Sequence, residues 1–353
     1  MIIYIQGIRW AVLNFKSKIT QLHYDKNAEG FFVDLLEFFS LFYGLVSKLR
    51  NTLYDKGIFK EEKVNANVIS VGNLTTGGVG KTPVVMALAK YFVEKGEKVA
   101  IITRGYGGKL SNKKVNVISD GINLFQTADM AGDEAYLLAV NLNMCAVLTC
   151  KDRVKASKYA IEKFGVTRII LDDAFQHRKI HRDMNILLVD SEMGFGNEKL
   201  LPAGPLREGT EAFDRVDKLI VMNKSTDSQR AEKLAKIMGK KFKCDAFVCS
   251  ATPDYVYNIK TGDNLVSGEA VTAMCAIGQP TQFYRFLENN YEILKKVTFD
   301  DHHQYTKSDI SKIKGNIITT EKDAVKLAKF DMNNIFALKL KTQLDIEGLL
   351  SDD

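Results

Sequence analysis

Sulfur, proline and tryptophan are scarce in this chain. Its 353 residues include five cysteines, five prolines, one tryptophan and five histidines. Cys145 and Cys150, and again Cys244 and Cys249, are separated by four residues. That spacing matches no short paired zinc motif, and no histidine cluster completes one. With Cys275 the count is odd, so buried thiols in a reducing compartment are expected rather than a disulfide framework. No stretch of about 18 residues is free of charge and no secretory cleavage pattern is present, so neither a spanning helix nor export is indicated. There is also no long block of one charge: 49 Lys and Arg stand against 43 Asp and Glu, a net charge of +6. This mild excess suits anionic ligands or an anionic membrane surface, and is too thin to point to nucleic acid.

What is present is a globular pattern. At 46% hydrophobic residues the chain can bury sizeable cores, and its length corresponds to roughly two domains. From Asn67 onward, short apolar runs alternate with helical stretches. Strands are predicted at 67–71, 99–103, 146–150, 168–172, 185–190 and 218–222, and helices at 81–95, 133–142 and 151–164. Several runs are almost continuously apolar, as expected of parallel strands covered on both faces, so an α/β sheet is indicated. A second series of strands is predicted at 245–250, 271–276, 294–299, 316–320 and 334–340. Residues 1–29 read as a weakly structured extension. Residues 31–54 read as an amphipathic helix with a wide aromatic face that includes Phe31, Phe38, Phe39 and Phe42. That face fits either docking on the core or lying in a membrane interface.

The strongest chemical signal is a strand, a glycine-rich loop and a helix over Val68–Pro83. Its centre is Gly77-Gly78-Val79-Gly80-Lys81-Thr82, preceded by Thr75 and Thr76. Such a loop turns backbone N–H groups inward onto phosphate oxygens, and the helix N-terminus adds positive potential. Lys81 is placed to reach the β- and γ-phosphates, and Thr82 to bind Mg²⁺. Thr75 occupies the position of the first glycine of the strict motif. The variant loop is similar to that of the partitioning ATPases, although Thr76 stands where they carry a signature lysine. The strand Arg168–Asp172 ends in the acidic pair Asp172-Asp173, at the edge where α/β sheets bind ligands and where Mg²⁺ could be held. Asp133 and Glu134 open a helix, either as first-turn acids facing the helix dipole or as a general base and a metal-facing acid. Arg104, in Thr103–Gly108, could pair with phosphate at the same edge. Arg153 lies at another strand-to-helix junction. Leu201–Glu208 reads as a rigid loop shaping a substrate site, and His302 and His303 share a loop after a later strand.

In order along the chain, these segments and Thr320–Lys326 (TEKDAVK) resemble the tetraacyldisaccharide 4'-kinase family of lipid A biosynthesis from about Phe31 to the C-terminus. The resemblance implies two α/β/α Rossmann-like domains, the first a P-loop kinase domain over 30–183 and the second over 184–353, joined by a short β hinge. It implies Mg²⁺-dependent transfer of the ATP γ-phosphate to the 4'-hydroxyl of a tetraacylated glucosamine disaccharide 1-phosphate. Asp133 is then the general base, with His302 as its partner in preference to His303. Lys81 and Thr82 serve nucleotide and metal, Glu134, Asp172 and Asp173 join the metal network, and Arg153, Gln176 and His177 line the site. The resemblance also assigns helix 31–54 to the cytoplasmic face of the inner membrane as a peripheral anchor. Ala174, where many members carry Gly, and Asn223-Lys224, where Thr-Lys is usual, depart from the family pattern. A dimerising ATPase switch of the partitioning class is the competing reading, with a non-catalytic nucleotide-binding protein third.

Overall fold

The computed structural model of the chain describes residues 19–351 except Thr226, Gln279 and His302. Helix α1 (Phe31–Asp55) precedes a parallel core built from β1 (Asn67–Asn73), α2 (Lys81–Glu94) and β2 (Val99–Thr103). The chain continues through β3 (Asn116–Ser119), α3 (Ala128–Ala131), α4 (Asp133–Asn141), β4 (Cys145–Thr149), α5 (Arg153–Phe164) and β5 (Arg168–Asp172). Then follow β6 (Met184–Asp190), β7 (Lys218–Asn223), α6 (Gln229–Phe242) and β8 (Asp245–Asn258). The last third contributes β9 (Ala270–Cys275), α7 (Thr281–Asn290), β10 (Glu292–Thr298), α8 (Lys307–Ile310), β11 (Asn316–Thr320), α9 (Glu321–Leu327), β12 (Ile335–Gln343) and α10 (Ile346–Leu349).

Alternation of side chains along each strand creates two cores. In β2, Val99 and Ile101 join the cluster under α2 and α4, whereas Ala100 and Ile102 join the one under α5. Both faces are therefore covered, which accounts for the near-continuous apolar runs. The Asp152 side chain caps α5 by accepting from the Lys155 N–H at 3.1 Å.

The described strands form one twelve-stranded sheet in the order β10-β9-β11-β12-β8-β7-β6-β1-β5-β2-β4-β3. β8 joins its halves. Residues 245–250 pair parallel with β7, and 250–258 pair antiparallel with β12, so that Ser250 lies beside both Asn223 and Gln343. In the second half β12, β11, β9 and β10 are mutually parallel. Because β12 runs back against β8, the C-terminal ends of these strands are directed at the C-terminal ends of β1, β5, β2 and β4. A cleft results, with a ligand-binding edge on each side.

β6 lies directly against β1 and β7 against β6, so the change of strand direction falls inside β8 near Ser250. Leu349 and Leu350 return to the core under α2. The strand expected at 245–250 also extends to Asn258. Proline and aspartate are uncommon inside strands, yet Pro253 pairs opposite Leu340 beside a register shift, where a missing ladder donor is tolerated. Strand β3 was not anticipated from the sequence; it is a four-residue, antiparallel edge strand.

The N-terminal part of the chain also differs from expectation. Residues 1–18 of the proposed extension lie outside the described residues. Residues 19–22 are helical, and the next are docked: His23 is buried with Nε2 3.0 Å from the Pro202 carbonyl, and the His23 carbonyl accepts from the Asn197 N–H at 2.8 Å. Helix α1 lies on the body through its polar stripe. Ser40 Oγ donates to the Leu200 carbonyl at 2.9 Å, Tyr43 to the Arg207 carbonyl at 2.9 Å and Asn51 to Glu208 at 2.9 Å. Glu37 pairs with Lys199. The aromatic face is left outside, with Phe31 84%, Leu41 67% and Leu45 66% exposed. Docking on the core through the aromatic face is thus excluded.

Ile101 sits at the centre of β2, between β5 and β4, with no exposed surface. Ile101→Ala is expected to lower stability by about 2–5 kcal/mol, measured by urea unfolding. A loss below about 1 kcal/mol would contradict its buried placement.

Candidate active site

The parallel register gathers the loops after β1, β2, β4 and β5 at one edge. After β1, the buried Asn73 donates to the Thr75 carbonyl at 2.7 Å and accepts from Lys81 Nζ at 3.0 Å. Thr75 is itself buried, with its hydroxyl 3.2 Å from Asn73 Nδ2, so it shapes the loop from beneath. Val79 likewise points into the core. Gly80 has φ +101° at the mouth of α2, a conformation that disfavours any side chain. Lys224 closes the loop from β7, donating to the Gly78 carbonyl at 2.9 Å while paired with Asp190 at 2.6 Å.

The cleft has a volume of about 2770 Å³, well above the roughly 300–1,000 Å³ of a single small-ligand pocket. Loop residues Thr76, Gly77, Gly78, Val79, Gly80, Lys81 and Thr82 line it. So do Arg104, Glu134 and Arg153, together with Asp172, Asp173, Gln176 and His177. The second half contributes Asp301, Thr320 and Lys322. Asp133, only 5% exposed, stands one residue before Glu134 and is not itself among the lining residues. His302 lies outside the described residues. His303 is committed elsewhere: its ring stacks on Phe299 with centroids 4.3 Å apart, and its Nε2 lies 3.2 Å from Asp309.

Backbone contact brings the Arg104 turn to the start of α4. A Cβ on Gly132 would lie 2.4 Å from the Tyr106 carbonyl oxygen, and one on Gly108 would lie 2.6 Å from the Met130 carbonyl oxygen. Only glycine permits this approach. The first turn of α4 then faces α9, where Lys326 Nζ is 3.4 Å from Asp133 Oδ2 and Lys322 Nζ is 3.5 Å from Glu134 Oε1.

The acids after β5 diverge in character. Burial pushes Asp172 up to about 7, and the negative charge of Glu134 adds to the effect. Burial also opposes ionisation of Asp173, but Lys81 at 3.2 Å and Arg207 at 3.1 Å outweigh it and hold that carboxyl below its usual range. Arg153 is buried and bonds the carbonyls of Cys150 at 2.7 Å and Asp172 at 3.4 Å, so it ties two strand ends together. Burial also lowers its pKa. Gln176 bridges Asn73 and Arg207.

These residues fit a magnesium ion. Glu134 and the buried Asp172 present negative charge that a cation would relieve, with Thr82 lining the same cleft. Among the described residues no group of three or more His, Cys, Asp or Glu forms a complete metal cage. That suits Mg²⁺, which keeps waters and phosphate oxygens among its ligands.

Three participants were not identified from the sequence: Arg207, Lys224 and Lys326. Arg207 was visible within the rigid loop Leu201–Glu208, and Lys326 within TEKDAVK, but each needed a distant acidic partner to acquire meaning.

Burial pushes His177 down to about 4, with Arg153 reinforcing the shift. The folded state then stays unprotonated there while the unfolded state takes up a proton near the ordinary value of about 6.5. Stability should fall as pH drops from about 6.5 to 4. His177→Gln should flatten that fall, measured by urea unfolding at several pH values. An unaltered acid slope would contradict a neutral buried imidazole.

Comparison with known proteins agrees with this geometry. The family model described as tetraacyldisaccharide-1-P 4'-kinase matches residues 33–352. The chain is 36% identical over 338 residues to the tetraacyldisaccharide 4'-kinase of Syntrophus aciditrophicus (strain SB), covering 90% of each. It is 38% identical over 316 residues to that of Aquifex aeolicus (strain VF5), covering 88% of this chain and 95% of the relative. The crystal structure of the "apo" form of LpxK from Aquifex aeolicus in complex with ATP superposes with a TM-score of 0.71 at 34% identity, covering 89% and 95% of the two chains. With the family model matched over residues 33–352 and relatives 36% and 38% identical along most of its length, this chain belongs to the tetraacyldisaccharide 4'-kinase family.

Proposed function

We propose that the cleft passes the γ-phosphoryl group of ATP to the 4'-hydroxyl of a tetraacylated glucosamine disaccharide 1-phosphate, forming lipid IVA, with Asp133 taking the hydroxyl proton. The chain is an ATP-dependent kinase of the lipid A pathway by family. The observation that supports the residue assignment is that the Lys81 loop and Glu134, next to the buried Asp133, line one cleft wide enough for two substrates.

Phosphoryl transfer to an alcohol demands charge neutralisation, alignment and a proton acceptor. Backbone N–H groups over 76–80 and the N-terminus of α2 hold phosphate oxygens, and Lys81 neutralises them. Thr82, Glu134 and Asp172 would hold Mg²⁺, and Asp173 joins that network through its contacts with Lys81 and Arg207. When bound, the ion supplies further neutralisation of phosphate charge. Arg104 offers phosphate contact at the mouth. Arg153, Gln176 and His177 keep the loop and the acidic strand end in register. Asp133 accepts the 4'-hydroxyl proton, with His302 assigned as its partner on the family resemblance.

The exposed apolar face of α1 supports peripheral attachment to the inner membrane on its cytoplasmic side. No described helix is long and apolar enough to cross a membrane. An aromatic face turned away from the body, over a polar stripe that binds it, suits a helix lying in the headgroup boundary. Its attachment beside Arg207 and Gln176 would bring a lipid-borne acceptor close to the cleft.

Asp133→Ala is expected to lower turnover by about 10²–10⁴ with the KM for ATP nearly unchanged, read as phosphorylated disaccharide product. Wild-type turnover in this variant would remove Asp133 from the chemistry. ATP consumption that ignores the disaccharide altogether would favour the ATPase-switch reading. Replacing Phe38, Phe42 and Leu45 together by Ser should weaken co-sedimentation with anionic vesicles by at least about tenfold, leaving the circular dichroism spectrum intact. Unchanged sedimentation would refute the anchoring role.

A further inference from the structure

The segment Thr320–Lys326 carries no role in the phosphoryl-transfer scheme, yet it holds the most enclosed charges among the described residues. Lys326 is entirely buried; its ammonium donates to the His303 carbonyl at 3.1 Å and forms ion pairs with Asp323 Oδ1 at 3.1 Å and Asp133 Oδ2 at 3.4 Å. The Tyr305 ring lies alongside, its centroid 5.3 Å from Nζ. Asp323 is equally buried and is fixed in turn. Its Oδ2 accepts from the Ala276 N–H at 2.9 Å and from the Thr320 hydroxyl at 2.9 Å.

We infer that Lys326, backed by Asp323, is the positioning residue that fixes the carboxylate of Asp133 at the junction of the two halves. The inference rests on the reading of Asp133 as the base. A buried ammonium must keep its counter-charges. Asp323 and the His303 carbonyl, both of the second half, hold it from one side, and the carboxylate of Asp133 in the first half meets it from the other. Rotating Asp133 away would strip the ammonium of one of its two ion pairs, so the lysine holds the carboxylate in place. One turn earlier on the same face of α9, Lys322 meets Glu134 and Asp301, each at 3.5 Å. Lysines at i and i+4 thus face consecutive acids at the start of α4. The base is thereby complete only when β9, α9 and α4 are assembled together, which gives the segment its purpose.

The test is a double-mutant cycle on the full-length enzyme with ATP, Mg²⁺ and the acylated disaccharide. Lys326→Met leaves Asp323 as an uncompensated buried charge and risks misfolding. Lys326→Met combined with Asp323→Asn removes both charges while retaining an acceptor toward Ala276, and is the variant to rely on. Thermal unfolding establishes that it is folded. The expected result is a kcat lowered by about 10²-fold, the scale of a misplaced reacting group, with KM for both substrates within about twofold of wild type. Added to Asp133→Ala, the same pair of changes should alter the residual rate by less than about twofold, because the lysine acts through the missing carboxylate. A folded variant with wild-type kcat beside a slow Asp133→Ala would overturn the role of Lys326 alone. A further fall of the residual rate in the Asp133→Ala background, or a loss of ATP affinity matching the loss of kcat, would identify a scaffold role and also overturn it. Wild-type turnover in Asp133→Ala would overturn the base assignment and this inference together.

Discussion

The antiparallel pairing of β8 with β12 is the constraint on which the active cleft depends. A parallel sheet sends all its functional loops to one edge, so two such sheets laid side by side in one direction would present two separate sites. Reversal at the β8–β12 ladder turns the second half around. The ends of β9 and β11 then point toward the ends of β1 and β5, and the loops of both halves meet. Ser250, paired to Asn223 on one side and Gln343 on the other, marks the place where the reversal occurs. No side chain in the cleft could compensate for a shift there, because every cross-cleft contact inherits its register.

The charges in the cleft form a graded set. Asp173 is held ionised by Lys81 and Arg207, while Asp172, one residue away, is raised to about 7 by burial and by Glu134. The same chemical group thus sits in two environments. One carboxylate is paired with Lys81 and Arg207, and the other carries a charge that burial and Glu134 make costly. Helix α1 applies a related principle at the surface. Its polar side chains bind a loop rich in backbone acceptors, so its apolar side is left unmatched by the protein. Leu200, Arg207 and Glu208 lie on the inner side of that helix and Gln176 at its end, and of these Arg207 and Gln176 also line the cleft.

Much of the first half was legible from local pattern. Strands 99–103 and 168–172 and the start of α2 at Lys81 fall where the sequence predicts them, because buried parallel strands are nearly uninterrupted apolar runs and glycine-rich turns have few alternatives. The extension of β8 was hidden by Pro253 and Asp254, which are tolerated beside a register shift. The reversal inside β8 was not legible, because β6 returns to pair with β1 and β7 with β6, a non-local choice that their composition does not encode. Thr75 opens the glycine-rich loop but packs beneath it, since Asn73 supplies the matching donor.

The sequence by itself determined the phosphate loop, the acidic strand end, the α/β class and the amphipathic character of α1. These properties arise from neighbouring residues, whose steric and hydrogen-bonding preferences act over a few positions of the chain. The tertiary structure alone decided which face of α1 turns outward, that His303 belongs to Asp309, and that Lys326 meets Asp133. Those outcomes depend on the partner each group finds after the sheet closes, and the energy of a buried charge depends on that partner more than on the residue that carries it.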